Sequence, residues 1–135
     1  MSPEQQLEAV RALHAHDDGT LDRAALLELL AEDVEWWVLG SPERLPFAGA
    51  FRGRSAVNEW FETLNLHMAY ERFDPLESFA GGDKVVEVIA ASGHARESGR
   101  PFESQIVRIW TFADDHATHV RSYFDTAAYE RAFGS

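Results

Sequence analysis

The apolar positions in the first half of the chain recur at helical spacing in three stretches. Ser2 and Gln5 have the spacing of a capping box, and the helix that follows them is predicted to end near Gly19. Thr20 is predicted to cap a second helix and Ser55 a third. The apolar stripes behind these predictions are Leu7, Val10 and Leu13, then Leu21, Ala24, Leu27 and Leu30, then Val57, Trp60, Phe61 and Leu64.

Strand patterns occupy most of the remaining chain. Residues 34–39 are β-branched and aromatic and predict a first strand, which runs into a loop at residues 40–46. Four antiparallel strands are predicted over residues 70–80, 84–97, 100–113 and 116–125, with turns at 81–83, 98–99 and 114–115. Pro75 places the first of them at a bend or an edge. A short helix is predicted over residues 126–133, so the pattern indicates one α+β domain.

Two-residue turns at 98–99 and 114–115 would fix which residues share a face of the sheet. One face is then aliphatic, and the other mixes charged with aromatic side chains. On the mixed face Arg108 opposes Arg121, and Glu87 and Asp125 are the carboxylates available to balance them. The mixed face carries Val85, Glu87, Ile89 and Ala91, then Ser104, Ile106, Arg108, Trp110 and Phe112, then His119, Arg121, Tyr123 and Asp125.

Two interpretations of these faces remain open. In the first, the mixed face is a solvated outer surface, and the aliphatic face packs on the helices as the core. In the second, the mixed face is the wall of a partly polar pocket, and the aliphatic face meets a second copy of the chain, because a monomer rarely exposes so large an apolar patch. The two interpretations predict opposite burial.

Charge and composition narrow the function classes. The chain has 135 residues, of which 45% are hydrophobic, enough for one core and too few for two. With 12 basic against 23 acidic residues the net charge is -11, which argues against binding to nucleic acid or to anionic membranes. Cysteine is absent, and no apolar run approaches the roughly 20 residues of a membrane span. The polar, acidic N-terminus does not resemble a signal peptide, so we expect a soluble cytoplasmic protein.

Asp125 is the leading candidate for chemistry, with two interpretations open. It stands before Thr-Ala-Ala and is suited to capping the last helix, or it moves a proton in a pocket. In the second case His119 and Tyr123 on the same strand are its helpers, and Arg108 or Arg121 tunes it or steadies an oxyanion. His14 and His16 point apart and have no third ligand, so we expect no metal site and no cofactor.

The tryptophans are candidates for shaping a binding pocket. Trp36 and Trp37 are consecutive strand residues and are predicted to point to opposite faces, where they either pack or line a cavity. Trp60 lies on the apolar stripe of the third helix and Trp110 on the mixed face of the sheet. We predict that these four residues and Glu87 contact a small hydrophobic molecule.

An ordered set of short segments resembles the nuclear transport factor 2-like superfamily, in its SnoaL-like and ketosteroid isomerase-like branch. The segments span nearly the whole chain: Leu30-Ala-Glu-Asp-Val-Glu-Trp36, Phe47-Ala-Gly-Ala-Phe-Arg-Gly-Arg54, Ser98-Gly-Arg-Pro-Phe102, Val107-Arg-Ile-Trp-Thr-Phe112 and Tyr123-Phe-Asp-Thr-Ala127. The resemblance implies a cone-shaped α+β barrel, with three N-terminal helices packed on a curved, mostly antiparallel sheet and a short C-terminal helix. It also implies an apolar pocket and a homodimer that forms through the sheets.

What the resemblance implies about function is broader. Members include polyketide cyclases, isomerases, dehydratases and epoxide hydrolase-like enzymes, and Asp125 resembles the terminal-strand aspartate of the cyclase-like and epoxide hydrolase-like members. The steroid isomerase base would fall near Val38, which cannot act as a base. We expect an acid/base enzyme of one of these types that acts on a small hydrophobic substrate. The alternatives are a non-catalytic dimer that binds a hydrophobic ligand and a dimeric interaction protein with a vestigial pocket.

Overall fold

The computed structural model describes residues 1–14 and 21–134, and within them four helices pack on one six-stranded sheet. The strands are β1 (Leu30–Val38), β2 (Gly49–Arg52), β3 (Met68–Gly81), β4 (Lys84–Ala95), β5 (Pro101–Ala113) and β6 (His116–Tyr123). The helices are α1 (Pro3–Ala12), α2 (Arg23–Leu29), α3 (Arg54–His67) and α4 (Thr126–Phe133).

The sheet is open and has the strand order β2-β1-β6-β5-β4-β3. Only β1 and β6 run parallel among the paired strands of the described residues, which confirms the α+β class and the mostly antiparallel sheet. The closed barrel is not observed, and α3 follows β1 and β2, so the helices are not grouped at the N-terminus as expected. Pro75 lies in the edge strand beside a register shift, as its residue type predicts.

The helix starts follow the capping rules in part. Ser2 caps α1 and exchanges the predicted reciprocal hydrogen bonds with Gln5. Asp22 caps α2, whereas Thr20 and Gly19 lie outside the described residues. The Ser55 cap is wrong, because the N-cap residue of α3 is Gly53, which makes no side-chain capping hydrogen bond. No helix of residues 1–14 and 21–134 is long and apolar enough to cross a membrane.

The β4–β5 hairpin closes through a four-residue loop at 96–99 instead of the predicted two-residue turn. The Ala95 N–H donates to the Arg100 carbonyl at 2.9 Å. Glu87 is therefore paired with Arg108, two positions from its predicted partner. Because two residues are one full strand period, every side chain of β4 and β5 keeps its predicted face.

The β5–β6 hairpin contains a one-residue bulge that the turn arithmetic does not include. Ala113 pairs with His116 as predicted, but Thr118 is then left over, and Thr111 pairs with His119. One extra residue reverses the faces of the rest of the strand. The predicted positions of His119, Arg121 and Tyr123 are therefore wrong, since Arg108 pairs with Ser122 and these three side chains lie on the outer face.

The core lies between the helices and the inner face of the sheet, the face that carries Trp36, Trp110 and Val120. Trp36 is 1% exposed, whereas Trp37 is half-buried on the outer face, so the predicted split of this pair is confirmed. Gly93 of β4 pairs with Tyr70 of β3. A Cβ atom there would lie 1.9 Å from the Ala69 carbonyl oxygen, so only glycine fits.

Candidate functional site

A cavity of about 380 Å³ lies between the inner face of the sheet and helices α2, α3 and α4. Its wall is mainly aromatic and aliphatic, and it contains two arginines but no aspartate or glutamate among the described residues. A pocket of this composition suits a small apolar molecule with a polar or anionic end. The lining residues are Leu21, Arg23, Val38, Phe47, Trp60, Phe61, Leu64, Asn65, Tyr70, Phe73, Ile106, Arg108, Ser122, Phe124 and Tyr129.

Arg108 brings a buried positive charge to the cavity wall. The residue is 5% exposed, and its guanidinium lies over the rings of Trp36 and Phe73, with centroid distances of 5.5 and 5.9 Å. Its Nε donates a long hydrogen bond of 3.4 Å to the Ser122 hydroxyl. Its Nη1 has no hydrogen-bond partner among the described residues and lies 3.9 Å from a Glu87 carboxylate oxygen. A buried cation with an unpaired donor is costly, which makes Arg108 an attractor for a negative charge in the cavity that it lines.

Tyr70 and Tyr129 place two phenol groups on the same cavity. Their hydroxyl oxygens are 2.9 Å apart. Burial raises the pKa of Tyr70 to about 12, although the bond to Tyr129 and the charge of Arg108 oppose that shift. Burial, and then the neighbouring phenol, raise the pKa of Tyr129 as well. Both groups are therefore neutral, and since only one hydroxyl proton is used between them, the second is free to be donated to a ligand oxygen.

Glu87 lies behind Arg108, 1% exposed, and holds three groups together. One carboxylate oxygen is 2.7 Å from His14 Nε2, and the other accepts a 2.7 Å hydrogen bond from the Trp110 indole N–H. The predicted pairing of Glu87 with a buried arginine is confirmed at 3.9 Å. His14, to which the sequence assigned no role, completes this buried cluster.

Asp125 occupies the cap position of α4. Its Oδ1 accepts the Ala128 N–H at 3.1 Å, and its own N–H donates to the Ser104 hydroxyl at 3.0 Å. The residue is exposed and is not among those that line the 380 Å³ cavity. The capping interpretation is thus confirmed, whereas a role as proton carrier stays a prediction.

The other predicted catalytic residues meet on the outer face. His119, Arg121, Tyr123 and Trp37 line a separate surface cavity of about 540 Å³. The Arg121 guanidinium donates to the Tyr123 hydroxyl at 3.3 Å, and the Tyr123 ring packs on Trp37 at 5.3 Å. The structure therefore brings these four side chains together, but on the side of the sheet away from Arg108.

The other three tryptophans, Trp36, Trp60 and Trp110, lie near the inner cavity. Of these, Trp60 is part of the cavity wall. Trp60 donates its indole N–H to the Phe47 carbonyl at 2.7 Å. Trp36 packs between Trp60 and Trp110, with centroid distances of 5.2 and 6.5 Å. Trp36 and Trp110 therefore support the cavity from behind.

The sequence missed Tyr70, Tyr129, Ser122 and His14 as site residues. Tyr129 had a usable signal, because it falls with Ala128 and Ala132 on the buried side of α4. The register without a bulge puts Ser122 on the aliphatic face, whereas the bulge in β6 turns it to the inner face. His14 and Glu87 are 73 residues apart and carry no local pattern that would connect them.

A family model described as a SnoaL-like domain matches residues 7–120. A comparison with curated protein sequences finds no significant match.

Three similar solved structures have TM-scores of 0.80. One is an NTF2-like protein of unknown function from Burkholderia pseudomallei K96243, with 26% identity over 100% of both chains. Another is an NTF2-like protein from Burkholderia xenovorans LB400, with 29% identity over 99% of both chains. The third is TerC, crystallised with polyporic acid, with 26% identity over 99% of this chain and 100% of TerC.

Proposed function

Because this chain belongs to the SnoaL-like domain family, within the nuclear transport factor 2-like superfamily, we propose that its inner cavity binds a small, largely apolar molecule through an anionic oxygen held by Arg108. The observation that carries the proposal is the buried guanidinium of Arg108, whose Nη1 lacks a hydrogen-bond partner among the described residues. TerC, which was crystallised with a molecule that is an acid by name, supports this ligand class.

The anion preference follows from the lining of the cavity. Arg108 and Arg23 are its charged lining residues in the described part of the chain, although the whole protein carries a net charge of -11. Arg23 is already paired with Glu62 and is 32% exposed, so its charge is screened by solvent. Arg108 is the stronger attractor, since a charge interacts more strongly in a low-dielectric surrounding.

A matched pair of fluorescent probes tests the proposal. 8-Anilinonaphthalene-1-sulfonate is permanently anionic, and N-phenyl-1-naphthylamine has the same rings without the sulfonate. We expect Arg108→Gln to weaken binding of the sulfonate by about tenfold or more, because a hydrogen bond to a charged group is lost, and to leave the neutral probe nearly unchanged. Arg121→Gln, on the outer face, is the matched control and should change neither. Equal losses for both probes would contradict the proposal.

A second candidate function is acid/base chemistry at the bound oxygen, of the cyclase, isomerase, dehydratase or epoxide hydrolase type. Arg108 and the Tyr70–Tyr129 pair supply a cation and a free hydroxyl donor to one cavity, which is the arrangement that stabilises an oxyanion. The test is exchange of the α-protons of α-tetralone in D₂O, followed by NMR, in which a buffer base takes the proton while the cavity stabilises the enolate oxygen. We expect the protein to deuterate α-tetralone faster than buffer alone does. This acceleration should be lost in Tyr70→Phe and in Tyr129→Phe. If the protein does not accelerate the exchange, the catalytic candidate is contradicted and the binding function is the one that stands.

We also propose that two copies meet through the outer face of the sheet. Val88 and Val107 pair at its centre, and Phe79 on β3 is 54% exposed. Apolar area of this kind is usually covered. Sedimentation should give a dimer that Ile109→Glu, on the same face, converts to monomer, whereas Glu103→Gln, also on β5, should not. A monomer at all concentrations would contradict this assembly.

A further inference from the structure

Three ionisable side chains meet in the wall behind the cavity. Arg108 comes from β5, Glu87 from β4 and His14 from the residues that follow α1. Their side chains are 6%, 1% and 6% exposed. Glu87 lies between the other two, with one oxygen 2.7 Å from His14 Nε2 and the other 3.9 Å from Arg108 Nη1. One carboxylate is thus shared by two potential cations.

The charge of this cluster depends on the protonation of His14. With a neutral imidazole, the charges of Glu87 and Arg108 cancel, and the carboxylate competes with a ligand anion for the guanidinium. With a protonated imidazole, Glu87 is balanced by His14, and Arg108 is left with an uncompensated positive charge at the cavity. A ligand anion is attracted much more strongly to the second state, because these charges interact in a low-dielectric interior.

On the premise of anion binding at Arg108, we propose that His14 takes up a proton when the anion binds and that Glu87 is the positioning residue that couples the two events. By linkage, a ligand that favours the protonated state must bind more tightly as the pH falls. The site then accepts an anion together with a proton. A carboxylate, phenolate or sulfonate with an apolar body belongs to this ligand class, and a neutral analogue does not.

The other charged groups near the cluster do not substitute for His14. Among the described residues, Arg11 and Glu77 line the small cavity that His14 and Glu87 share, and both are exposed. Phe73 stacks on the imidazole at 6.0 Å and carries no charge. On the far side of Arg108, burial raises the pKa of Tyr70 to about 12, so its phenol is neutral. Histidine is the side chain that changes charge near neutral pH, which assigns the uptake to His14.

The test is calorimetry of 8-anilinonaphthalene-1-sulfonate binding in buffers of different ionisation enthalpy. For the unmodified chain we expect an uptake that approaches one proton, and an affinity that falls by up to about tenfold per pH unit as the pH rises. His14→Gln should show no uptake and a flat pH profile. His94→Gln, an exposed histidine bonded to Glu71, is the matched control and should keep the uptake. The neutral N-phenyl-1-naphthylamine should bind without a proton in every variant.

A second variant tests the coupling residue. Glu87→Gln removes the competing carboxylate, so we expect no proton uptake and, at about pH 8, an affinity at least equal to that of the unmodified chain at about pH 6. Uptake retained in a folded Glu87→Gln, or in His14→Gln, would overturn the inference. If Glu87→Gln does not fold, the His14→Gln profile decides alone. Arg108-dependent sulfonate binding without uptake would overturn only this coupling, whereas binding independent of Arg108 would overturn the proposed function itself.

Discussion

Neighbouring residues of β6 lie in two opposite environments. Val120 and Ser122 are buried on the inner face, next to Arg108, whereas His119 and Arg121 are exposed on the outer face. The outer face holds more charged groups, but in the single chain they are exposed to water, where an ion pair contributes about 0 to 1 kcal/mol. The inner face holds few, and among them Arg108 is desolvated and keeps one donor without a hydrogen-bond partner among the described residues. The comparison teaches that poorly compensated burial, and not the density of charged residues, identifies the candidate site.

The largest expected contrast is between the two consecutive tryptophans of β1. Trp36→Ala should lower the free energy of unfolding by about 3–5 kcal/mol, because a fully buried ring is replaced by a cavity. Trp37→Ala, on the half-buried outer position, should lower it by about 1 kcal/mol. Urea denaturation measures both. Both variants are compared in the Ile109→Glu background, in which the proposed dimer does not cover Trp37, and equal losses there would contradict the contrast between the two faces.

Alkaline pH should act on the inner face through the tyrosine pair. Burial raises the pKa of Tyr70 to about 12 from an ordinary value of 10.0, so the folded state holds the phenol proton more tightly than the unfolded chain. The resulting stabilisation is present below about pH 10 and is lost as the pH rises from about 10 to 12. The melting temperature should therefore fall as the pH rises over this range, and it should fall less in Tyr70→Phe. Tyr123→Phe, on the outer face, is the control and should keep the decline.

Substitutions of Asp125 distinguish its role as a helix cap from a role as proton carrier. Asp125→Ala should cost about 0.5–2 kcal/mol, since the Ala128 N–H loses its acceptor at the start of α4. Affinity for the sulfonate probe should not change, because Asp125 is not among the lining residues of the inner cavity. Asp125→Asn should preserve most of the stability, because asparagine also caps helices well. A folded Asp125→Asn that loses the α-tetralone exchange would instead support a proton carrier.

The smallest expected effect belongs to the outer ion pairs. Glu35 lies 3.2 Å from His119 and 3.4 Å from Arg52, and all three side chains are at least half exposed. Glu35→Gln should change the free energy of unfolding by about 1 kcal/mol at most. A loss of several kcal/mol would show that these groups are buried in solution, which would erase the contrast between the faces.

Much of the fold could be predicted from the sequence because its signals are local. The box at Ser2, the apolar stripe of α3 and the alternation in β4 and β5 each depend on neighbouring residues, and the structure confirms them. The face reversal in β6 depends on the unpaired Thr118, for which no residue type gives a reliable signal. One unpredicted residue therefore moved three candidate site residues to the other side of the sheet.

The site was predictable only where one hairpin contains it. Glu87, Arg108 and Trp110 come from the two strands of the β4–β5 hairpin, and sequence reasoning placed them together correctly. Contacts between distant elements, such as His14 with Glu87 or Tyr70 with Tyr129, depend on how helices close over the sheet. Spacing along the chain contains no information about that closure.

Gly93 lies on β4 opposite Tyr70 of β3 and limits which substitutions the sheet tolerates. A Cβ atom at Gly93 would lie 1.9 Å from a backbone oxygen, and backbone atoms cannot turn away as a side chain can. Even alanine would therefore push β4 away from β3, the strand that carries Tyr70. In a saturation mutagenesis scan, position 93 should tolerate glycine alone, although it contacts no ligand and carries no functional group.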